Sequence, residues 1–140
     1  MLWRVKARQL LEARKRPVNP VMALIARKLA QHQYDSEQVR MAALRSGPES
    51  PHWKSWNVIG TRMSVLREIR TAVEKMRQPT PQAVKVLVDR QIEALKIDGE
   101  STRMAALATG SESDLWQSFN AIQARIAELL ALARDLAGVG

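Results

Sequence analysis

Apolar residues recur every three or four positions along much of the chain, which is the spacing of one face of an α-helix. The clearest run consists of Trp53, Trp56, Ile59, Met63, Leu66, Ile69, Val73 and Met76. A second run has the same spacing and consists of Trp116, Phe119, Ile122, Ile126, Leu129, Ala133 and Leu136. The apolar residues are mostly good helix formers, so the pattern predicts an all-α fold.

Both runs begin inside a stretch of sequence that occurs twice. Residues 40–62 and 103–125 are identical at thirteen of twenty-three positions, beginning with the block Arg-Met-Ala-Ala-Leu. Identity at a fixed offset indicates a tandem duplication of one helical unit. The predicted organisation is a basic N-terminal helix in residues 1–17, a first repeat in 18–78 and a second in 79–140, all packed as one compact bundle.

Each repeat is predicted to contain three helices, because capping residues and glycines fall at matching places in the two copies. The marked boundaries are Asn19 or Thr80 before a proline for the first helix, Asp35 or Ser36 and Glu100 or Ser101 for a short second helix that ends at Gly47 or Gly110, and Ser50 or Ser113 for a long third helix. In this arrangement Trp53 and Trp116 are expected to be buried against the Met-Ala-Ala-Leu helix of their own copy.

The first sixteen residues have the pattern of an amphipathic basic helix ended by Pro17. Trp3, Leu10 and Leu11 share an apolar face, and the adjoining strip carries Arg4, Arg8 and Lys15. An Arg-rich start of this kind also resembles a mitochondrial transit peptide. The absence of serine, the presence of Glu12 and the repeat that follows at once favour a structural helix instead.

Composition narrows the class of protein. The chain has no cysteine, which excludes disulfides and thiolate chemistry and is compatible with a cytoplasmic location. The longest strongly apolar run near its end, Leu129 to Leu132, is far shorter than the roughly 20 residues of a membrane span. The net charge is +8, but residues 1–78 hold sixteen Lys and Arg against six Asp and Glu, whereas residues 79–140 hold six against eight. This asymmetry suggests a polyanionic partner for the first half.

No residue set matches a catalytic, cofactor or metal motif, so the sequence predicts a protein that is not an enzyme and has no cofactor. His32 and His52 lack ligand partners at metal-binding spacing. Trp53 and Trp56 could stack on unpaired bases, but both positions stay aromatic in the less basic second copy, which favours core packing. The retained polar residues are interpreted as loop contacts: Asn57 bonding the loop backbone, and Glu49 pairing with Arg40 or Arg62.

The candidate nucleic-acid-binding residues are cations near the start of the chain, where Glu12 is the only acid among them: Arg4, Lys6, Arg8, Arg14, Lys15, Arg16, Arg27 and Lys28. They favour a non-enzymatic protein that binds nucleic acid through phosphate contacts. A helix-turn-helix is a poor match, because the loop contains proline and the next helix begins with apolar residues.

The alternative function is a protein-interaction module, either a component of a larger assembly or an inhibitor that docks on an acidic protein surface. In both hypotheses the partner is a polyanion, and the second repeat is available for packing or self-association. An unrecognised enzyme and a membrane-surface protein anchored by the helix that contains Trp3 are the remaining alternatives.

Overall fold

The computed structural model describes residues 19–110 and 113–139, which form four α-helices. The helices are α1 (Pro20–Ser46), α2 (His52–Glu74), α3 (Pro81–Thr109) and α4 (Leu115–Ala137). Over this part of the chain the all-α prediction is confirmed. The helix predicted for residues 1–17 lies outside the described residues.

Among the described residues, each of the two predicted repeats contains two helices, so the predicted three-helix unit is wrong. The expected break at Asp35 or Ser36 falls inside α1, and the one at Glu100 or Ser101 falls inside α3. The side chain of Asp35 accepts a hydrogen bond from Gln31 Nε2 at 3.0 Å instead of capping a new helix. A capping residue can start a new helix only if the preceding helix has ended. Nothing ends α1 before Asp35, because α1 contains no glycine and has no proline after Pro20.

The outer helix starts follow the sequence signals. Asn19 Oδ1 accepts hydrogen bonds from the backbone N–H groups of Val21 and Met22 at 2.9 and 3.1 Å, and Pro20 occupies the first helical position. Thr80 Oγ1 accepts from the N–H of Ala83 at 3.2 Å, and Pro81 follows it. These side chains satisfy donors that the first helical turn leaves without partners, which fixes the starts of α1 and α3.

Gly47 and Gly110 end α1 and α3 in matching conformations, with φ of 93° and 100°. L-residues rarely adopt such positive values, whereas glycine does so without a Cβ clash. Shortly after each glycine, a serine hydroxyl accepts a hydrogen bond from the backbone two residues later: Ser50 from His52, and Ser113 from Leu115. The described residues of the two connections therefore share these backbone and hydrogen-bond features.

The helices form two antiparallel hairpins, hairpin 1 from α1 and α2 and hairpin 2 from α3 and α4. Helices within a hairpin pack against each other, and α2 packs against α4 to join the hairpins. We call the ends where α1 meets α2 and where α3 meets α4 the tips, and the opposite ends the base. At the base, Asn19 Nδ2 donates to the carbonyl of Pro79 at 3.3 Å, which ties the start of α1 to the segment that leads into α3.

The hydrophobic core lies toward the base, away from the duplicated stretch. Its buried members come from the first halves of α1 and α3 and from the later parts of α2 and α4: Val21, Leu24, Ile25, Leu29, Met63, Val65, Leu66, Ile69, Val73, Val84, Val88, Ile92, Ile126, Leu129, Leu132 and Leu136. Near the tips, by contrast, Ala43, Ala106 and Ser50 are among the few buried residues. The best-matched sequence of the two repeats thus forms the more exposed ends of the hairpins.

Candidate functional site

The eight predicted nucleic-acid-binding residues divide into two groups. Six of them (Arg4, Lys6, Arg8, Arg14, Lys15 and Arg16) lie outside the described residues. The other two are neighbours on α1 with different surroundings. Arg27 is exposed, whereas Lys28 Nζ lies 2.6 Å from Asp135 Oδ2 of α4 with only 18% of its side chain exposed. Lys28 therefore contributes to the contact between hairpins, and Arg27 remains available at the surface.

The charge asymmetry of the sequence is also present on the surface of the folded residues. Among residues 19–110 and 113–139, hairpin 1 and the segment after it carry six exposed cations without an ion pair: Arg27, Arg45, Lys54, Arg67, Lys75 and Arg77. Over the same described ranges, hairpin 2 has one such cation, Arg90, because its other Lys and Arg side chains pair with carboxylates. The excess positive charge is thus concentrated on one hairpin.

A buried carboxylate lies where the hairpins meet. Glu128 of α4 is 2% exposed; its Oε2 is 3.6 Å from Arg62 Nη1 of α2, and its Oε1 is 3.0 Å from His32 Nε2 of α1. The histidine contact lacks hydrogen-bond geometry, so Oε1 accepts no hydrogen bond within the described part of the chain. A buried carboxylate is costly to desolvate, and the positive charge of Arg62 offsets part of that cost.

Two further ion pairs join the hairpins. Arg125 of α4 donates to the carboxylate of Glu68 on α2, and Lys28 pairs with Asp135. The hydrogen bond from Lys28 lowers the pKa of Asp135, an effect that partial desolvation opposes and that the charges of Lys28 and Arg134 reinforce. Charged groups at this contact favour one alignment of the hairpins, because sliding them would separate the pairs.

Sequence reasoning missed these pairs and assigned other partners to two arginines. Arg40 pairs with Glu37 one turn earlier, at 3.1 Å, and Arg62 pairs with Glu128; the expected partner of either arginine was Glu49. The sequence around Glu128 contains one pattern that could have indicated a buried carboxylate. It is flanked by Ala124 and Leu132 one turn before and after, so a carboxylate interrupts the buried side of α4.

Trp53 and Trp116 each form a hydrogen bond within their own tip, but neither is a core residue. Trp53 is half-buried, and its Nε1–H donates to the carbonyl of Gly47 at 3.1 Å; Trp116 makes the same bond to Gly110 at 3.1 Å. The expectation that both indoles are buried is therefore wrong. Each ring meets the next aromatic residue edge-on, with a centroid separation of 5.9 Å in both copies. The indoles stay part-exposed because the hairpin-to-hairpin core does not extend to the tips.

A cleft of about 560 Å³ opens between the hairpins near the tips. Its lining includes Trp56, which is 37% exposed, together with Asn57, Thr61 and Arg125. An adjoining cleft of about 420 Å³ is lined by both Asn57 and its duplicate Asn120. Asn57 thus faces open space, and among the described residues its side chain does not form the expected bond to the loop backbone.

Metal sites and membrane spans are both absent from residues 19–110 and 113–139. No group of three or more His, Asp or Glu side chains in these ranges is arranged to hold a metal ion. None of the four described helices is both long enough and apolar enough to cross a membrane.

Comparison of the chain with protein-family models, with curated proteins and with solved structures finds no match.

Proposed function

We propose that the chain is a non-enzymatic nucleic-acid-binding protein whose basic first half contacts phosphates. The observation that supports this proposal is the concentration of six exposed, unpaired cations on hairpin 1 and the segment after it, against one on hairpin 2, among the described residues. Exposed Lys and Arg side chains release counterions from a nucleic acid when they bind its phosphates, and that release drives sequence-independent binding.

The N-terminal segment extends this positive charge. Residues 1–18 hold Arg4, Lys6, Arg8, Arg14, Lys15 and Arg16 against Glu12, and they lead directly into α1, which carries Arg27. Lys28 is not part of the proposed contact surface, because Asp135 holds its ammonium group. In this proposal the two hairpins descend from a duplicated two-helix unit, of which the first copy binds phosphate and the second supports it. A cytoplasmic location belongs to the same proposal.

The test compares two charge-reversal variants with the same change in net charge. The first reverses two unpaired cations of hairpin 1 (Arg27→Glu and Arg67→Glu), and the control reverses two ion-paired cations of hairpin 2 (Lys85→Glu and Lys96→Glu). Binding to DNA and RNA is measured by fluorescence anisotropy over a range of salt concentrations.

The hairpin 1 variant is expected to bind more weakly than the control. Its binding should also depend less on salt: the slope of the logarithm of the binding constant against the logarithm of salt concentration should be less steep by about 0.9 for each lost phosphate contact. Equal weakening by the two variants would mean that net charge alone matters. No binding by the parent protein at low salt would refute the proposal.

A reversal of Arg4, Arg8 and Lys15 to glutamate tests the N-terminal segment in the same assay. We expect weaker binding with unchanged thermal unfolding, because exposed charges contribute little to stability. If that variant folds and binds like the parent, the N-terminal strip is not part of the contact surface.

A protein-interaction module is the second candidate, and one observation favours it. Large apolar side chains remain exposed on α1 and α3, and phosphate binding does not explain them. Exposed apolar surface on a folded protein is often a contact site for another protein. A parent protein that fails to bind nucleic acid but associates with a protein partner at moderate salt would favour this candidate.

A further inference from the structure

Three exposed apolar side chains on α1 have exposed apolar counterparts at the equivalent positions of α3. On α1 they are Tyr34, Met41 and Leu44, which are 63%, 43% and 55% exposed. On α3 they are Ile97, Met104 and Leu107, which are 69%, 57% and 56% exposed. Each pair is separated by sixty-three residues, the offset of the duplicated stretch. We call the three residues of each helix its stripe.

The members of a stripe share one side of their helix. Their spacing of seven and then three residues places them within an arc of about 80°, along about 15 Å of helix. Single exposed apolar residues are ordinary on protein surfaces. The same three positions left apolar and exposed in both copies, despite wide divergence elsewhere, point to a contact surface that both copies retain.

Each stripe is accompanied by the same ion pair. Arg40 Nη2 donates to Glu37 Oε2 at 3.1 Å, and Arg103 Nη2 donates to Glu100 Oε1 at 2.6 Å. The hydrogen bond from Arg103 lowers the pKa of Glu100. A stripe with a glutamate and an arginine one turn apart is self-complementary, because an antiparallel partner helix with the same pair places arginine opposite glutamate at both positions.

The apolar residues fit the same antiparallel arrangement. In an antiparallel pair of α1 helices that places Glu37 opposite Arg40, the two helices cross in register near residue 39. Tyr34 and Leu44 are almost equally distant from that point, so Tyr34 of one helix lies nearly opposite Leu44 of the other. The equivalent register on α3 brings Ile97 close to the level of Leu107. One register therefore brings the outer apolar residues to the same level and each charge near the opposite charge, and Met41 then lies at the level of Ser36 and Glu37 of the partner helix.

We propose that the stripes of α1 and α3 are the self-association surface of this protein, and that the partner is a second copy of the same chain. A second copy brings the same stripes, with matching length and charge. Residues 1–18 are the other candidate occupant, and the sequence pattern predicts one apolar face for them, with Trp3, Leu10 and Leu11. The ion pair beside each stripe favours the second copy, because that copy supplies the opposite charges in the antiparallel register.

The test is the mass of the full-length, nucleic-acid-free protein over a wide concentration range, measured by sedimentation. The variant Met41→Glu with Met104→Glu places one carboxylate in each stripe. The control Val86→Glu with Leu130→Glu makes the same chemical change at two side chains outside the stripes, each 51% exposed. We expect the parent and the control to associate, and the stripe variant to need more than about tenfold higher concentration to do so. Each stripe loses an apolar side chain and gains a carboxylate close to Glu37 or Glu100 of the partner helix.

A charge exchange tests the register. The variant Glu37→Arg with Glu100→Arg and the variant Arg40→Glu with Arg103→Glu should each self-associate more weakly than the parent, since like charges then meet. Mixing the two variants should restore association, because each supplies the charge that the other lacks. Circular dichroism establishes that the variants fold.

Three results would overturn the proposal. The first is a parent protein that stays monomeric up to millimolar concentration. The second is a stripe variant that associates as well as its control, or a charge-exchange mixture that associates no better than its components. The third is loss of association in a Leu10→Glu, Leu11→Glu variant with intact stripes, which would identify the N-terminal segment as the contact instead.

Discussion

Arg62 and Arg125 occupy equivalent positions of the duplicated stretch, yet they pair with carboxylates in opposite surroundings. Arg62 faces Glu128, which is 2% exposed, and Arg125 faces Glu68, which is 54% exposed. Both arginines reach across to the other hairpin, from α2 to α4 and from α4 to α2. The two glutamates do not occupy equivalent positions of the duplicated unit, so the two ion pairs lie at different positions along the contact between α2 and α4.

This difference predicts unequal costs for the same substitution. Arg62→Met keeps most of the side-chain volume but leaves Glu128 buried with only His32 beside it, and should cost about 1 to 3 kcal/mol of unfolding free energy. Arg125→Met leaves Glu68 free to be hydrated and should cost less than about 1 kcal/mol. Urea denaturation of both variants measures the difference. Equal losses would mean that burial of the carboxylate does not matter.

The ion pair between Lys28 and Asp135 predicts an acid dependence of stability. The pKa of Asp135 is lowered from its ordinary value of 3.8, mainly by the hydrogen bond from Lys28. A carboxyl whose pKa is lower in the folded state stabilises the fold above its unfolded pKa and loses that contribution as pH falls through the folded value.

Asp135→Asn should therefore be less stable than the parent near pH 6, and the gap in unfolding free energy should narrow below about pH 4. Denaturant titrations from pH 6 to about pH 3 measure this gap. Asp89→Asn, at an exposed i,i+4 pair with Lys85 within one helix, serves as the control and should change little at any pH. A gap for Asp135→Asn that does not depend on pH would contradict the prediction.

The indole hydrogen bonds at the tips predict a small, defined loss of stability. Trp53→Phe keeps an aromatic ring but removes the donor to the carbonyl of Gly47, and should cost about 1 kcal/mol. Trp116→Phe removes a more exposed bond to Gly110 and should cost less, because water can replace the donor. Thermal unfolding of the two variants tests the order. A loss of more than about 3 kcal/mol for Trp53→Phe would place the indole in a core after all.

Two glycines of hairpin 1 should respond to alanine with opposite signs. Gly47 has φ of 93°, where a Cβ is strained, so Gly47→Ala should destabilise the protein by about 1 to 3 kcal/mol. Gly60 lies in the exposed interior of α2 with open space around its Cα, so Gly60→Ala should stabilise it by about 0.5 to 1 kcal/mol. Denaturation midpoints measure both changes. A stabilising Gly47→Ala would contradict the role assigned to the positive φ.

The parts of the fold that sequence predicted well are those governed by near neighbours. The caps at Asn19 and Thr80 and the ends at Gly47 and Gly110 depend on backbone conformation within a few residues. The predicted break near Asp35 is wrong because the backbone around Asp35 stays helical, and a capping residue inside a helix has no free N–H group to cap. Capping residues therefore indicate where a helix can start, but they do not show at which of these positions a helix does start.

The candidate site was predictable only in its overall charge. The basic excess of the first half follows from composition, and it remains on the surface of hairpin 1 among the described residues. Which cations stay free was not predictable. Arg27 and Lys28 are adjacent and chemically similar, and only the position of Asp135 on α4 separates an exposed cation from a paired one.

The helical class, the duplicated stretch and the signs of charge in the two halves can be read from the order of residues alone, because periodicity, identity and composition are properties of the chain in one dimension. The packing of α2 against α4 decided the rest: the buried Glu128, the part-exposed tryptophans and the uncovered stripes of α1 and α3. These features depend on which helix faces lie against each other. That choice is settled by contacts between residues far apart in the chain, and no local pattern encodes it.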